Sequence, residues 1–311
     1  MNDAPDRLGL AVVRDALLVP PEPGPTPVYP FVLGVFDAAG RPVPEAAWRH
    51  RALDLATAPP RPPVRRIAGR HVYGGVLVPH FGHGLIEGLA RAWHLRTAPD
   101  TPVLWHRQGP GVSRDMATLL GFAGLAAPDG SVLDEPVTVE ELVVPRQGCV
   151  FGGWFHPAQA ASLGIAPYGL VQWGKRVWLS RSALPERVAR VEGEAAVEAR
   201  LVDAGWTILH PETLSLPGQL AAIAGAERIA GFMGSALHLL LLFDAVPARV
   251  SILSRGLHRD LVRTYETIAA AKGFAQELLP VALDGAPAVV GPRQSVRLAD
   301  PAAVAAAILA G

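Results

Sequence analysis

The chain has 311 residues, 28 Lys and Arg against 28 Asp and Glu, and half of its residues are apolar. A zero balance without a polybasic run argues against a nucleic-acid or anionic-membrane surface, since both need concentrated positive charge, and favours a small-molecule or carbohydrate partner. A single cysteine, Cys149, excludes an internal disulfide framework and a cysteine-rich zinc site.

The opening MNDAPDRLGL carries acidic residues where a signal peptide needs basic ones ahead of an apolar core. The apolar stretch Ile229 to Phe243 contains two glycines and a histidine and falls short of the roughly 20 apolar residues that span a bilayer. The expectation is a cytoplasmic protein without a transmembrane segment, with peripheral membrane association left open.

Residues 1–70 read as short strands, LAVV, ALLVP and FVLGVF, separated by proline clusters and the turn DAAGRP. TAPPRPPVRR (57–66) reads as an extended connector. From Val72 the run VYGGVLV predicts a strand, and Leu85, Ile86, Leu89, Ala90 and Trp93 recur at helical spacing, predicting a helix from His83 to Leu95. A strand at Pro102–His106, a helix at Ser113–Leu120 capped by Ser113, and strands near Val137–Val144 follow. The Gly, Pro and aromatic-rich segment 145–174 reads as a crossover without a regular element of its own.

A second alternating unit is predicted beyond it. It runs strand 175–180, helix 193–204, strand 207–210, helix 217–224, strand 227–231, a helix from about Ser235, strand 248–253 and helix 260–271. In this α/β protein the strands separated by helices in the second unit imply a mainly parallel sheet covered on both faces, whose ligands bind outside the carboxyl ends of the strands. The expected domains are 1–165 and 166–311.

Four constellations carry chemistry. Ser180, Arg181 and Ser182 end a strand, where two hydroxyls and a guanidinium suit a phosphate or serve an ordinary loop equally well. Gly231, Met233, Gly234 and Ser235 lead a strand into a helix start that favours phosphate, although the glycines also suit a tight turn. His238, one turn further in, has the surroundings of a packed histidine. In HPETLSLP, Ser215 and Pro217 read as a helix start, and Glu212 before them suits a sugar hydroxyl, with a solvated carboxylate the blander reading.

His80, His83 and Glu87 form the fourth. His83 and Glu87 stand at i and i+4, within reach of each other, and a neutral imidazole at a helix start takes a proton. An HxxH with a glutamate also suggests metal, but no nearby third ligand completes a strong zinc motif, so metal ranks below catalysis or plain capping.

In order, YGGVLVPHFGHGLIEGLARAW, LVVP, KRVWLSRS, HPETLSLPGQLAAIAGAERIAGFMGSALHLLLLF and ARVSIL resemble glycosyltransferase family 61, whose bacterial members include capsular polysaccharide biosynthesis proteins. The resemblance covers roughly 70–275. It implies a GT-B fold of two Rossmann-like domains facing a cleft, with the nucleotide-sugar held by the C-terminal domain. It puts Ser180, Arg181 and Ser182 in a strand-end SR motif near the donor phosphates and Glu212 in a PE-x-LS segment. His83 and Glu87 match a GHxxxE-like helix start on the acceptor side, with His80 beside it. Met233 stands where the family carries a histidine.

The resulting expectation is inverting transfer of a sugar from a nucleotide diphosphate donor to a hydroxyl of a surface polysaccharide or related glycan. Arg181 and the Gly231–Ser235 turn, with His238 and Glu212 nearby, hold the donor; His83 with Glu87 takes the acceptor proton. No metal or cofactor beyond the nucleotide-sugar co-substrate is expected. The alternatives are a catalytically inactive glycosyltransferase-like nucleotide- or glycan-binding protein, motivated by Met233, and a metal-dependent hydrolase built on His80, His83 and Glu87.

Overall fold

The proline-rich start of the chain forms one 17-residue strand, β1 (Leu10–Thr26), in the computed structural model, instead of the separate short strands expected. β1 pairs with a later strand as far as Leu18 and with β2 (Tyr29–Phe36) from Leu17 on, so beyond Leu18 only β2 is alongside. Pro20, Pro21 and Pro23 therefore fall where a missing N–H removes no bond from the sheet interior. The structure describes residues 4–26, 29–51, 53–54, 57–125, 130–185, 188, 190–256, 259–285 and 295–311. The chain divides into two units, Met1–Leu163 and Gly164–Gly311.

In the first unit β3 (Arg49–His50) and β4 (Leu53–Asp54) make a small antiparallel pair outside the main sheet. The main sheet adds β5 (Arg65–Leu77), β6 (Val103–Arg107) and β7 (Val137–Pro145), in the order β2-β1-β7-β5-β6. It is mixed: β1 runs antiparallel to β2 and β7, whereas β5 is parallel to β6 and β7. β5 starts inside the expected connector, taking in Arg65 and Arg66. Val137, Val139, Leu142 and Val144 of β7 join Leu18, Tyr73 and Leu104 in one apolar cluster.

The helix expected from His83 to Leu95 is broken into α1 (Phe81–His83), a π-type turn over Gly84–Gly88, and α2 (Ala92–Leu95). Leu89 N donates to Gly84 O, five residues back, at 3.0 Å. The two glycines let this turn lie against its neighbours. A Cβ on Gly84 would stand 3.2 Å from Val78 O, and one on Gly88 3.0 Å from Met116 Sδ. α3 (Arg114–Phe122) begins as expected at Ser113, whose hydroxyl accepts from Met116 N at 3.2 Å. Within the supposed irregular crossover lies α4 (Pro157–Leu163). Its buried Gln159 accepts from Trp93 N and donates to Leu89 O, which ties the helix to α2.

The second unit contains β8 (Gln172–Leu179), β9 (Val191–Glu192), α5 (Glu194–Asp203), β10 (Thr207–Leu209), α6 (Leu216–Ile223) and β11 (Ala226–Phe232). They are followed by β12 (Arg249–Leu253), α7 (Arg259–Lys272), β13 (Gln276–Leu279), β14 (Val296–Arg297) and α8 (Pro301–Ala310). Its main sheet, β10-β8-β11-β12-β13, is parallel throughout. Trp178, Ala230, Phe232 and Leu253 point from it to the side chains of α5 and α8. Their sequence neighbours Val177, Leu179, Ile229 and Ile252 are equally buried, so both faces are covered. The helix expected from Ser235 is a 3-10 helix, Ser235–Leu242. Leu237 to Leu242 are all buried, so no solvent face exists from which apolar spacing could report the helix type.

Both units share a strand arrangement. The first parallel strand, β5 or β8, lies between the second (β6 or β10) and the third (β7 or β11). In the second unit the connections from β8 to β10 and from β11 to β12 run in opposite directions along the sheet. The crevice outside the carboxyl ends of the first and third strands is where open α/β sheets bind ligands.

Candidate functional site

In the first unit the carboxyl end of β5 leads directly into His80, His83 and Glu87. Glu87 is buried within the π-type turn, its side chain only 2 % exposed, and each carboxylate oxygen meets an imidazole. Oε2 is 2.5 Å from His83 Nδ1 and Oε1 is 2.6 Å from His50 Nδ1. The i, i+4 pairing expected of His83 and Glu87 is present; His50, on β3, was not expected.

Burial alone would push the Glu87 carboxyl up, but the hydrogen bonds from His50 and His83 more than offset that and hold it below its ordinary value. A carboxylate only accepts, so both Nδ1 atoms carry a proton, and in the neutral form of either ring the lone pair is on Nε2. Phe151, which follows the carboxyl end of β7, supports the two rings. His50 lies parallel to it at 5.2 Å and His83 tilts against it at 5.1 Å. His80 meets His83 edge-on at 5.2 Å.

His50, His83 and Glu87 are, among the described residues, a group whose ligand atoms lie within 4.8 Å of one another, as a metal site requires. Their nitrogen–oxygen separations of 2.5 and 2.6 Å are hydrogen-bond distances. Two ligands of one tetrahedral zinc, each at about 2.0–2.1 Å, would stand about 3.3 Å apart. Cys149, behind the turn, is fully buried and donates to Ile86 O at 3.1 Å. Burial, and then the Glu87 charge, push its thiol well above the ordinary value.

In the second unit three strand ends converge. Arg181 follows β8, Gly234 follows β11 and Arg255 follows β12. The Arg181 guanidinium lies against Gly234, where a Cβ would fall 2.2 Å from Nη1. Arg255, 4 % exposed, donates from Nε to Met233 O at 3.0 Å, and its buried Nη1 has no hydrogen-bond partner. Burial, and next the Arg181 charge, push Arg255 down to about 10. Two neighbouring guanidiniums with a buried unmet donor have the chemistry to take an anion.

The other expected donor residues distribute differently. Ser180 and Ser182 direct their hydroxyls to the Glu198 carboxylate, at 2.5 and 3.0 Å, so their protons serve α5. Gly231 permits close strand packing, a Cβ there falling 2.9 Å from Leu179 O. The Met233 side chain is fully buried, and His238 is buried beside the Tyr265 ring at 5.2 Å. Ser235 opens the 3-10 helix. Glu212 lies 4.0 Å from His210 Nδ1 and is an electrostatic neighbour of Arg181.

Glu194 was not expected either. It is fully buried, accepting from Arg181 N at 3.0 Å and Trp178 Nε1 at 3.2 Å. Burial raises it to about 7, with the Glu198 charge adding to the rise.

Residues 81–271 match the sequence model of the family Glycosyltransferase 61. The chain belongs to glycosyltransferase family 61. No curated protein matches it significantly. Family membership implies glycosyltransferase activity, with a sugar donor and a glycan acceptor. Among the described residues, no helix of this family 61 glycosyltransferase is long and apolar enough to cross a membrane. The matched range takes in His83, Glu87, Arg181, Gly234 and Arg255; His50 lies before it.

Arg255 was open to the strand-end rule that selected Arg181, because SILSRG ends a predicted strand in the same way. His50 had no such signal, since its place depends on a two-residue strand.

Proposed function

We propose that this family 61 enzyme transfers a sugar, with inversion, from a nucleotide diphosphate donor to a hydroxyl of a bacterial surface polysaccharide or related glycan, acting in the cytoplasm. The observation that carries the reading is the pair of guanidiniums, Arg181 against Gly234 and Arg255 donating to Met233 O, each within electrostatic reach of the other, with Arg255 Nη1 buried and unmet. In GT-B terms the second unit takes the donor and the first supplies the base.

The chemistry follows from the tautomer that Glu87 imposes. His83 Nε2 takes the proton from the acceptor hydroxyl as that oxygen attacks the anomeric carbon, while Glu87 holds the resulting imidazolium. The bond from the anomeric carbon to the diphosphate oxygen breaks, its electron pair leaving with the diphosphate. Arg181 and Arg255 offset that charge, as a fixed field needing no reorganisation. One in-line displacement inverts the centre. With two guanidiniums at the leaving group, the reading requires no metal.

Thermal-shift screening of uridine, guanosine, cytidine and thymidine diphosphates and their sugars tests the donor site, because a ligand of the folded state raises apparent stability. Arg181→Ala and Arg255→Met should each weaken the stabilising nucleotide by about 10- to 100-fold in calorimetric titration, and excess chelator should leave transfer unchanged. Wild-type affinity in both variants would remove the assignment. Met233, in place of the histidine of the family pattern, motivates the alternative of binding without turnover. Release of nucleoside diphosphate from a stabilising nucleotide-sugar decides between the two.

A further inference from the structure

His50 is the imidazole that the proposed reaction leaves unused. It lies outside the residues matched to the family, so nothing in that match assigns it a role. Its backbone is pinned on both sides to the segment after β7: Arg49 N donates to Gln147 Oε1 at 2.6 Å and Arg51 N to Phe151 O at 2.8 Å. Its ring lies within 7° of parallel to Phe151, and its Nδ1–H is given to the one Glu87 oxygen that His83 does not use.

We propose that His50 is a positioning residue for the acceptor base: by holding Glu87 Oε1 it fixes the carboxylate plane, so that Oε2 orients His83 with Nε2 outward. The inference rests on His83 being that base. A buried carboxylate with only one donor is free to turn about its terminal torsion and to share both oxygens with His83, which loosens the imidazole it should aim. Glu87 faces His50 from the π-type turn and His83 from α1, at 5.9 Å between ring centroids. Arg51 on its own segment lies over the far ring, Phe151, at 5.9 Å.

Two substitutions separate aiming from packing. His50→Phe keeps a flat ring for Phe151 and removes the donor; His50→Asn keeps an N–H at the Nδ1 position and removes the ring. Turnover, read as diphosphate released from uridine or guanosine diphosphate sugars, should fall about tenfold or more in His50→Phe and stay within about threefold of wild type in His50→Asn, with nucleotide affinity unchanged in both. Without any nucleotide, the His83 imidazole followed by nitrogen NMR should titrate at higher pH in His50→Phe, because Glu87 then turns its whole charge on one partner, and return towards wild type in His50→Asn.

Wild-type turnover and titration in His50→Phe, or equal losses in both variants tracking melting temperature, would overturn the inference. So would stoichiometric transition metal in the purified wild type that disappears in His50→Phe, since the three side chains would then be ligands. His83→Ala run alongside keeps the two readings apart. Its full turnover would remove the base itself, whereas its loss beside an active His50→Phe would remove only the role of His50.

Discussion

A buried carboxylate with a high pKa makes stability depend on pH in a direction opposite to the usual acid denaturation. Glu194 sits at about 7 in the folded protein against an ordinary 4.5. Between those values the folded state keeps a proton that the unfolded chain has released, so stability falls as pH rises through that window and stays lower above it. The difference corresponds to about 3 kcal/mol. Glu194→Gln keeps an oxygen for Trp178 and Arg181 N and removes the charge. It should match wild type near the bottom of the window and gain up to about 3 kcal/mol above its top, measured by urea unfolding of the second unit across pH. Residue types in sequence singled out Arg181 but not the groups that surround it. Ser180 and Ser182 have the right chemistry for a phosphate, yet Glu198 of α5, 16 residues beyond Ser182, takes both hydroxyls.

At the scale of elements, most of the alternation was legible because buried strands and half-buried helices leave different periods in the sequence. Ser113 and Ser215 marked helix starts that the structure confirms, both hydroxyls accepting from the backbone three residues on. What escaped depends on contacts distant in sequence. The π-type turn at Gly84–Gly88 has the apolar spacing of an ordinary helix, and its departure comes from pressing two glycines against β5 and Met116 of α3. That contact is measurable. Gly88→Ala should cost about 1–3 kcal/mol by crowding Met116 Sδ, and Met116→Ala about 2–5 kcal/mol by opening a cavity. The double variant should be less destabilised than their sum, since the added methyl occupies part of the vacated space. Additive costs in a double-mutant cycle of chemical denaturation would show that the two do not share this contact.

Across the whole molecule, candidate residues emerge from the same topological place twice. In the first unit they follow β5 and β7, in the second β8 and β11 with β12 beyond, each time at the carboxyl ends of the parallel strands that flank the reversal in strand order. The second unit, with a parallel sheet and its own core around Trp178 and Phe232, carries both guanidiniums of the proposed donor site just beyond its strand ends. Residues 164–311 produced alone should therefore keep nucleoside diphosphate affinity to within about tenfold of the full chain by titration calorimetry; complete loss in a folded fragment would move part of that site to the first unit. The single cysteine gives the molecule a further experimental property. Only a thiolate reacts readily, and Cys149 is fully buried with its thiol held in the protonated form. A cysteine introduced at Val64 in one unit or Val202 in the other, 67 % and 55 % exposed, becomes a unique address for a maleimide dye. A donor and acceptor fluorophore placed at both then report by energy transfer whether a nucleotide changes the separation of the two units, without a native cysteine having first to be removed.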